Sequence, residues 1–317
     1  MVNNCFFTDY CPWGKTEIFE EKDRGFLKLI CTSLSVYLFS FLSMRCFHHL
    51  GGAKMMLREV SNWMKPGDFL YKTDIYSYYA SINHEILGQQ LEKANIPTAQ
   101  LTVIKAYCKR IIPSIGRSLF CEIGIPKGGS LSPILGALYL RELDKAMERW
   151  MARGDCFYAR FQDDIILISR KRHVLRRMRK EMFQILDTLK LIIRPEKTQV
   201  GRCEKGFDLL GYHVTLKGLS PSIEAQKKAF ETAKRRFAQG GDKPLQLYLK
   251  RWRTWAHAGL NDQVQDVNEI LNQIVYHINN DVTRPYKKKS RAVWIKTTVN
   301  RKGKQSWIRK FSGHWQC

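Results

Sequence analysis

The sequence predicts an α+β fold in which an antiparallel sheet is backed by helices and followed by a further helical region. Two acidic motifs indicate the sheet, because each follows an apolar, β-branched or aromatic run of strand length. A run with helical periodicity after the second motif, with apolar residues along one side, indicates the helical layer. The predicted strands cover residues 69–75, 157–168 and 207–215. The predicted helices of this part cover residues 84–110, 130–150 and 171–191.

Asp163 and Asp164 lie between two apolar runs, at the tip of a predicted hairpin. Adjacent carboxylates repel each other, and burying them is costly unless a cation lies between them. A Mg²⁺ site favours such a pair, because this cation takes oxygen ligands and bridges substrate phosphates. A solvent-exposed turn explains the pair equally well when it is considered alone, so the assignment depends on further motifs.

A second apolar run, residues 69–73, leads into Asp74. Two strands from distant parts of the chain that each present an aspartate can converge on a two-metal site. In such a site one ion activates the attacking hydroxyl and the other stabilises the leaving oxygen. Between the two motifs lies a glycine-rich loop, residues 124–133, whose backbone can approach a ligand closely. A helix is predicted directly after it, over residues 134–140.

Five motifs follow one another along the chain. They are the strand ending at Asp74, the loop at 124–133 (GIPKGGSLSP), the hairpin tip at 161–164 (FQDD), residues 195–198 (PEKT) and residues 206–212 (GFDLLGY). This ordered set resembles the palm of bacterial reverse transcriptases, the group that includes group II intron maturases and the retron, diversity-generating and defence-associated enzymes. The resemblance covers roughly residues 65–220, and residues 221–280 resemble the helical thumb of that group more loosely.

The resemblance implies the right-hand architecture of a polymerase, with a palm, reduced fingers and a helical thumb. Only 73 residues precede Asp74, without the usual basic finger motif. Lys54, Arg58 or Lys65 are candidate substitutes for that motif, and the alternative is that a partner subunit or an RNA completes the fingers. A protein partner or a homo-oligomer is a further expectation. The implied regions are residues 1–64 (N-terminal or reduced fingers), 65–220 (palm with finger insertions), 221–283 (thumb) and 284–317 (basic tail).

The resemblance also implies the catalytic residues. Asp74 and Asp163 would be the main ligands of two Mg²⁺ ions, with Mn²⁺ as a substitute, and Asp164 would be a weaker ligand or an electrostatic partner. The carbonyl oxygen of Ile75 would supply a further ligand. Lys197 matches the motif lysine that neutralises or protonates the departing pyrophosphate, although lysine is also common on solvated turns.

Further residues are implied to contact the nucleotide and the primer. Tyr79, five residues after Asp74, has the position of the bulky residue that blocks a 2′-hydroxyl, and an ordinary core aromatic is the alternative. Lys127 stands where many reverse transcriptases carry Gln, and it would contact a phosphate. The implied nucleotide-binding residues are Tyr79, Lys127, Gly128 and Ser132. The implied primer grip is Leu209, Leu210 and Gly211, of which the two leucines are expected to pack.

The chain carries 53 basic and 29 acidic residues, a formal net charge of +24. Such a chain repels itself unless a polyanion binds it, and nucleic acid is the natural partner. Basic residues on the helix at 171–191, and others among the aromatics Tyr248, Trp252 and Trp255, are candidate contacts; solvated surface and a core aromatic stripe are the alternatives. The tail after residue 283 has no Asp or Glu and is expected to order on RNA. The candidates are Arg172, Arg176, Lys250, Arg251, Arg253, Lys287, Lys288 and Lys289.

Residues 29–44 are free of charge, but this run is shorter than the ~20 residues that span a bilayer. We expect a buried helix joining fingers to palm there, in a cytoplasmic protein without a membrane anchor. Nine cysteines with no CxxC pair indicate reduced core thiols. Two groups of residues suggest a zinc site, but neither has the spacing of four zinc ligands. They are Cys46 with His48 and His49, and Cys5 with Cys11.

The predicted function is RNA-directed DNA synthesis, in which a primer 3′-hydroxyl attacks the α-phosphate of a deoxynucleotide in line. The resemblance implies an RNA template, expected to be a structured non-coding RNA, with deoxynucleotides as substrates, a DNA product and a setting in bacterial anti-phage defence. Two alternatives use the same fold: a maturase-like RNA-binding scaffold, and RNA or template-independent synthesis. The intact acidic motifs argue against the scaffold, and Tyr79 argues against RNA synthesis.

Overall fold

The computed structural model describes residues 8–10, 17–114, 117–260, 264–283, 293–297 and 306–310, and the side chains of residues 19–110, 121–260 and 264–280. The helices are α1 (Glu21–Leu38), α2 (Gly52–Trp63), α3 (Tyr78–Ser81), α4 (His84–Lys93), α5 (Thr98–Cys108), α6 (Ser132–Tyr139), α7 (Arg141–Met151), α8 (Arg172–Thr188), α9 (Ile223–Gly240), α10 (Asp242–His257) and α11 (Val267–Thr283). The strands are β1 (Thr8–Tyr10), β2 (Glu17–Phe19), β3 (Phe69–Asp74), β4 (Ile111–Ser114), β5 (Arg117–Phe120), β6 (Cys156–Phe161), β7 (Asp164–Ser169), β8 (Gln199–Arg202), β9 (Phe207–Leu209), β10 (Tyr212–Thr215), β11 (Gly218–Pro221), β12 (Val293–Thr297) and β13 (Ser306–Lys310). Single turns of 3₁₀ helix cover Pro195–Lys197 and Cys203–Lys205.

The predicted α+β class is confirmed, with a four-stranded antiparallel sheet in the order β6-β7-β3-β8 at its centre. The predicted hairpin is also confirmed, because β6 and β7 pair along their whole length. β3 pairs fully with β7, which brings Asp74 directly opposite Asp164. The edge strand β8 was not among the predicted strands, because its side chains alternate only between partly buried and exposed positions.

The central sheet has two buried faces, because side chains alternate along each strand. On the first, Tyr71, Ile165 and Leu167 share one core cluster with the apolar sides of α7 and α8, and we call this the α8 face. On the second, Leu70 and Ile166 belong to a separate cluster with α2, the sheet of β9, β10 and β11, and helices α9 to α11. We call this the α2 face. The two clusters determine which groups can meet on each side of the sheet.

The C-terminal half of the described chain packs on the α2 face. β9, β10 and β11 form a small antiparallel sheet in the order β11-β10-β9. Helix α9 follows at once, and the Ser222 hydroxyl caps it by accepting the Ala225 N–H at 3.2 Å. Leu249 of α10 and Ile274 of α11 are buried in the same cluster as Leu70. The helical region predicted after residue 221 is therefore present and docked on the sheet.

The prediction of a buried helix over residues 29–44 is wrong. Helix α1 ends at Leu38, and only a narrow stripe that includes Leu27 and Leu34 is buried. Leu29 and Val36 lie on the other side of the helix, 71% and 76% exposed. No helix among the described residues combines the length and the apolar character that a bilayer crossing requires.

The described cysteines are free thiols, four of them buried. Cys46, His48 and His49 do not form a metal cluster in the part of the chain that the structure describes. Cys5 and Cys11 lie outside the described residues, as do Lys287, Lys288 and Lys289. Within the predicted tail, the backbone of β12 pairs with that of β13 as an antiparallel hairpin. The buried cysteines are Cys46, Cys108, Cys156 and Cys203.

Candidate active site

The three predicted catalytic aspartates meet at one end of the central sheet. Asp74 is the last residue of β3, Asp164 is the first residue of β7, and Asp163 lies in the turn before it. The Ile75 N–H donates to the Asp163 carbonyl at 3.3 Å, which ties the turn to β3. Asp74 is only 6% exposed, and Asp163 and Asp164 are partly buried. The solvent-exposed turn, the alternative for this acidic pair, is therefore wrong.

Burial and mutual repulsion disfavour the charged form of these carboxyls. Burial raises the pKa of Asp163 to about 6, and the charges of Asp74 and Asp164 act in the same direction. Burial and the charge of Asp74 also raise the pKa of Asp164, while Lys72 opposes the rise. A cation between these groups would relieve the repulsion.

A stability prediction follows from the raised pKa of Asp163. Folded Asp163 holds its proton up to about pH 6 and an unfolded aspartate only to 3.8, so the free energy of unfolding falls as pH rises through this interval. Without divalent cations, Asp163→Asn should therefore be more stable than wild type by about 2–3 kcal/mol at pH 7.5, and by much less at pH 4.5. Urea unfolding in EDTA at the two pH values measures the difference. Equal stability of Asp163→Asn and wild type at pH 7.5 would contradict the unfavourable burial of the charged Asp163 carboxylate.

Two basic side chains neutralise Asp74. The Lys197 Nζ donates to Asp74 Oδ2 at 2.9 Å, and the Arg194 Nε lies 3.4 Å from Asp74 Oδ1. The Arg194 N–H also donates to the Asp74 carbonyl at 2.8 Å. The Lys197 ammonium therefore lies at the carboxylates, as the motif resemblance implied. Arg194 and Lys72 are site residues that the sequence did not single out, since nothing in their local pattern marks them.

The donor set fits a divalent cation in its chemistry. Among the described residues, no three His, Cys, Asp or Glu side chains stand together as a preformed metal cluster. Three carboxylates nevertheless converge, and the buried Asp74 Oδ1 accepts no hydrogen bond, since its ion pair with Arg194 lacks hydrogen-bond geometry. Hard oxygen donors of this kind are those that Mg²⁺ and Mn²⁺ prefer.

The buried Arg160 holds the acidic turn in place. Its guanidinium donates to both carboxylate oxygens of Asp144 in α7, at 2.7 and 2.6 Å. It also donates to the carbonyls of Ala137 in α6, at 2.9 Å, and Gln162, at 3.3 Å. Tyr158 completes the network by donating to Asp144 at 2.6 Å. Because Gln162 precedes Asp163, this network joins the turn to the helix that follows the glycine-rich loop.

The glycine-rich loop has an exposed tip and a buried base. Lys127 and Gly128 are exposed, and Gly128 has a φ of +93°, a conformation that favours glycine. A Cβ on Gly129 would lie 1.9 Å from the Tyr107 hydroxyl, so only glycine fits there. The prediction that Ser132 contacts the nucleotide is corrected by its position. It is fully buried, and its hydroxyl donates to the Pro126 carbonyl at 2.5 Å, so it shapes the loop instead.

Tyr79 lies between the acidic turn and α6. A Cβ on Gly136 would come within 3.0 Å of the Tyr79 ring. The pKa of the Tyr79 hydroxyl is raised by burial and by the charge of Asp163. Its carbonyl accepts the Ile125 N–H of the loop at 2.8 Å. The neighbouring Tyr78 is the fully buried aromatic, with its hydroxyl donating to the Gly136 carbonyl. Tyr79 thus remains a predicted gate, next to the carboxylates.

We expect Tyr79→Ala to lower discrimination against ribonucleotides by at least about tenfold, because the removed ring would no longer clash with a 2′-hydroxyl. The ratio of kcat/KM for a deoxynucleotide and for the matching ribonucleotide measures this. Tyr76→Ala, an exposed tyrosine on the same turn, is the control and should keep the wild-type ratio. An unchanged ratio in Tyr79→Ala would remove the gate assignment.

An open cleft of about 730 Å³ runs from the carboxylate end of the sheet to α9 and α10. Gly211 and Leu210, with φ of +86° and +49°, lie on its wall, and Leu209 adjoins it with its side chain buried in the core. Trp252 is buried too, and Trp255 is 39% exposed, so the aromatic stripe is part core and part cleft wall. The residues that line the cleft include Lys72, Asp164, Lys197, Leu209, Leu210, Gly211, Tyr248, Trp252 and Trp255.

The basic residues of α10 do not belong to the wall of this cleft. Lys250, Arg251 and Arg253 are exposed, but they lie outside the cleft lining. Arg172 and Arg176 lie farther away, on α8, which packs on the other face of the sheet. These two arginines therefore lie on the side of the catalytic hairpin that faces away from the cleft, and their contact with nucleic acid stays a prediction.

Lys54 of α2 joins three elements at the far end of the cleft. Its ammonium donates to the Tyr212 hydroxyl and to the Trp255 carbonyl, the latter at 2.7 Å. It also lies 4.2 and 4.6 Å from the ring centroids of these two residues. Burial lowers the pKa of Lys54 to about 8. The contacts tie α2 to the strand after Gly211 and to the last turn of α10.

We expect Lys54→Met to weaken primer–template affinity about tenfold, because Lys54 holds Trp255 and the last turn of α10 at the cleft wall by a cation–π contact and a helix C-terminal cap, and without them this part of the wall would shift. The turnover of bound complex should change less than twofold, since Lys54 is remote from the carboxylates. Titrating primer–template in single-nucleotide addition separates the two quantities. Lys65→Met, an exposed lysine just beyond α2, is the matched control. Unchanged affinity would contradict the positioning role.

Comparisons with known proteins match a large part of the chain. A family model described as "Reverse transcriptase (RNA-dependent DNA polymerase)" matches residues 24–214, more than half of the chain. This segment contains the three aspartates, the glycine-rich loop and Lys197. Protein YkfC of Escherichia coli (strain K12) is 22% identical over 211 residues, which cover 56% of this chain and 55% of that protein.

Solved structures of telomerases share the fold. Telomerase from Candida albicans in complex with the TWJ fragment of telomeric RNA aligns with a TM-score of 0.51 and 12% identity, covering 81% of this chain and 50% of that one. Apo telomerase from Candida tropicalis aligns with a TM-score of 0.50 and 15% identity, covering 80% and 53%. The chain therefore spans about half the length of these relatives, and at such identities the likeness shows the fold alone.

Proposed function

The chain belongs to the reverse transcriptase (RNA-dependent DNA polymerase) family, and from this premise we propose that it copies RNA into DNA at Asp74, Asp163 and Asp164. The observation that carries the proposal is the pairing of Asp74 with Asp164 beside Asp163, where Asp164 lines the cleft. A binding scaffold has no use for carboxylates whose burial raises their pKa. Nucleotidyl transfer does need such carboxylates, because they hold the cations that bind the phosphates.

The chain's own residues would mainly position and neutralise the reactants. Asp74 and Asp163 would hold two Mg²⁺ or Mn²⁺ ions, assisted by Asp164 and the carbonyl of Ile75. Bound there, the cations would lower the pKa of the primer 3′-hydroxyl and offset charge on the triphosphate. Lys197, now paired with Asp74, would transfer its hydrogen bond to the departing pyrophosphate.

The remaining contacts follow from the loop and the cleft. Lys127 and Gly128 at the exposed loop tip would contact the triphosphate, and Tyr79 would exclude a 2′-hydroxyl. The primer end would lie against Leu210 and Gly211 on the cleft wall. The net charge of +24 supports nucleic-acid partners, which we propose are a structured RNA template and the DNA product. A role in anti-phage defence, a cytoplasmic location, and a protein partner or second copy stay predictions.

Primer extension by the purified chain tests the proposal. A labelled DNA primer on an RNA template should be extended by deoxynucleotides with Mg²⁺ or Mn²⁺, and EDTA should stop the reaction. The same primer on a DNA template of identical sequence measures the preference for RNA. A chain that binds the RNA duplex but extends no primer with either cation would favour the RNA-binding scaffold instead.

A further inference from the structure

We propose that the outward side of α8 is a second RNA-binding surface, which holds double-stranded parts of the template outside the catalytic cleft. The surface consists of four exposed cations and is called the α8 stripe. The assignment of RNA as the ligand of this surface rests on the proposed function. The position and the charge of the surface are independent of that function. The α8 stripe comprises Arg172, Arg176, Arg177 and Lys180.

The central sheet separates the α8 stripe from the catalytic residues. Along β7, the side chain of Asp164 lies on the same side of the sheet as that of Ile166, which belongs to the α2 face. Met178 and Met182 of α8 instead pack with Tyr71 on the α8 face. The cations of α8 point away from these methionines into solvent. A primer–template duplex in the cleft therefore cannot be the ligand of the α8 stripe.

The stripe cations have no acidic partner of the kind that Lys228 of α9 has, and among the described residues they share this with exposed cations of α10 such as Lys250 and Arg251. Lys228 pairs with Glu224 on α9 at 2.6 Å, as expected for residues one turn apart. Within the part of the chain that the structure describes, no carboxylate lies within ion-pair distance of the four stripe cations. The nearby Glu181 is bound by Arg149 at 3.1 Å and by Trp150.

The charge arrangement costs folding energy while no anion is bound. The four cations span nine residues, which is about 12 Å of helix, so they repel one another. Arg172 also lies in the first turn, where the helix macrodipole is positive and where α8 has no acidic residue. Asp155, a carboxylate near this end, is paired with Lys171 at 2.6 Å. An anion along the stripe would offset both costs.

Duplex RNA is the anion that fits best. No Phe, Tyr or Trp stands between Arg172 and Lys180, so the stripe offers phosphate contacts without a platform for unpaired bases. Three of the four cations are arginines, whose planar guanidinium groups bind phosphate oxygens in pairs. The template proposed above is a structured RNA, and its paired parts outside the catalytic cleft would need an outer surface to bind.

The test combines the substitutions Arg172→Gln, Arg176→Gln, Arg177→Gln and Lys180→Gln. A control with the same loss of charge changes four exposed lysines elsewhere to Gln. Binding of a fully paired RNA hairpin is followed by fluorescence anisotropy between 50 and 200 mM KCl, and single-nucleotide addition is measured on a short primer–template. Binding to vesicles of phosphatidylcholine and phosphatidylserine tests a membrane as the ligand. The control lysines are Lys93, Lys205, Lys217 and Lys243.

The stripe variant should bind the hairpin at least about tenfold more weakly at 100 mM KCl, with the slope of log K against log salt reduced by about 3. Its addition to the short primer–template should stay within twofold of wild type. Equal losses in the stripe and control variants would overturn the proposal, as would vesicle binding lost with unchanged RNA binding. A wild type that binds the hairpin through the stripe but adds no nucleotide would instead contradict the proposed polymerase function.

Discussion

Replacing Asp163 by Asn is expected to lower nucleotide incorporation by at least about a hundred- to a thousandfold, and Asp74→Asn to do the same. This is the loss seen when one group that stabilises a transition state is removed, and here a charge is lost as well. Binding of the RNA template should be unchanged or slightly tighter, because one negative charge near the phosphates is gone. Single-turnover addition with saturating primer–template measures the first effect, and a binding titration measures the second.

The control for these variants is Asp208→Asn. Asp208 lies in the same cleft but is exposed and paired with His213 at 2.7 Å, so its substitution changes the cleft charge without touching the carboxylate cluster. Incorporation by this variant should stay within about threefold of wild type, as expected for a surface ion pair. Near-normal synthesis by Asp163→Asn, or an equal loss in Asp208→Asn, would refute the site assignment.

Arg160→Met is expected to cost about 3–5 kcal/mol of unfolding free energy. Arg160 and Asp144 are both fully buried, so removing one leaves the other as an uncompensated charge. The substitution also releases the Gln162 carbonyl next to Asp163, so the remaining folded protein should lose activity. Urea unfolding of Arg160→Met and of Asp144→Asn measures the stability loss.

Two comparisons make this prediction specific. The double variant Arg160→Met with Asp144→Leu should be much less destabilised than the sum of the single changes, because no charge is then left buried. Lys171→Met breaks an exposed ion pair with Asp155 and should cost less than about 1 kcal/mol. A loss below 1 kcal/mol in Arg160→Met would mean that this network does not hold the acidic turn.

Local patterns predicted the parts of the site that depend on neighbouring residues. The apolar runs before Asp74 and on both sides of Asp163 are sufficient to specify β3 and the hairpin, and hydrophobic pairing then brings the carboxylates together. The apolar side of α8 was predictable for the same reason, since Leu175 and Met178 recur at helical spacing. The exposed loop tip and the buried Ser132 could not be predicted in this way. They depend on the contact of Ser132 with Tyr107, which joins separate segments of the chain.

Contacts between distant segments could not be predicted from local patterns. Lys54 lies 158 residues from Tyr212, and nothing near it in the sequence indicates that partner. Arg160 looks like an isolated charge in a strand until the fold supplies Asp144. The face on which α8 packs depends on chain topology, so local patterns could not show that Arg172 lies on the side of the hairpin away from the cleft.

Cation binding measures the central assignment most directly, without relying on turnover. Mn²⁺ would be titrated by electron paramagnetic resonance into the chain bound to a primer–template with a dideoxy-terminated primer and the matching deoxynucleotide. Wild type and Asp208→Asn should bind two Mn²⁺ ions per complex, whereas Asp74→Asn and Asp163→Asn should lose at least one or bind it at least about tenfold more weakly. If all four proteins bind Mn²⁺ alike, these aspartates do not form the catalytic centre.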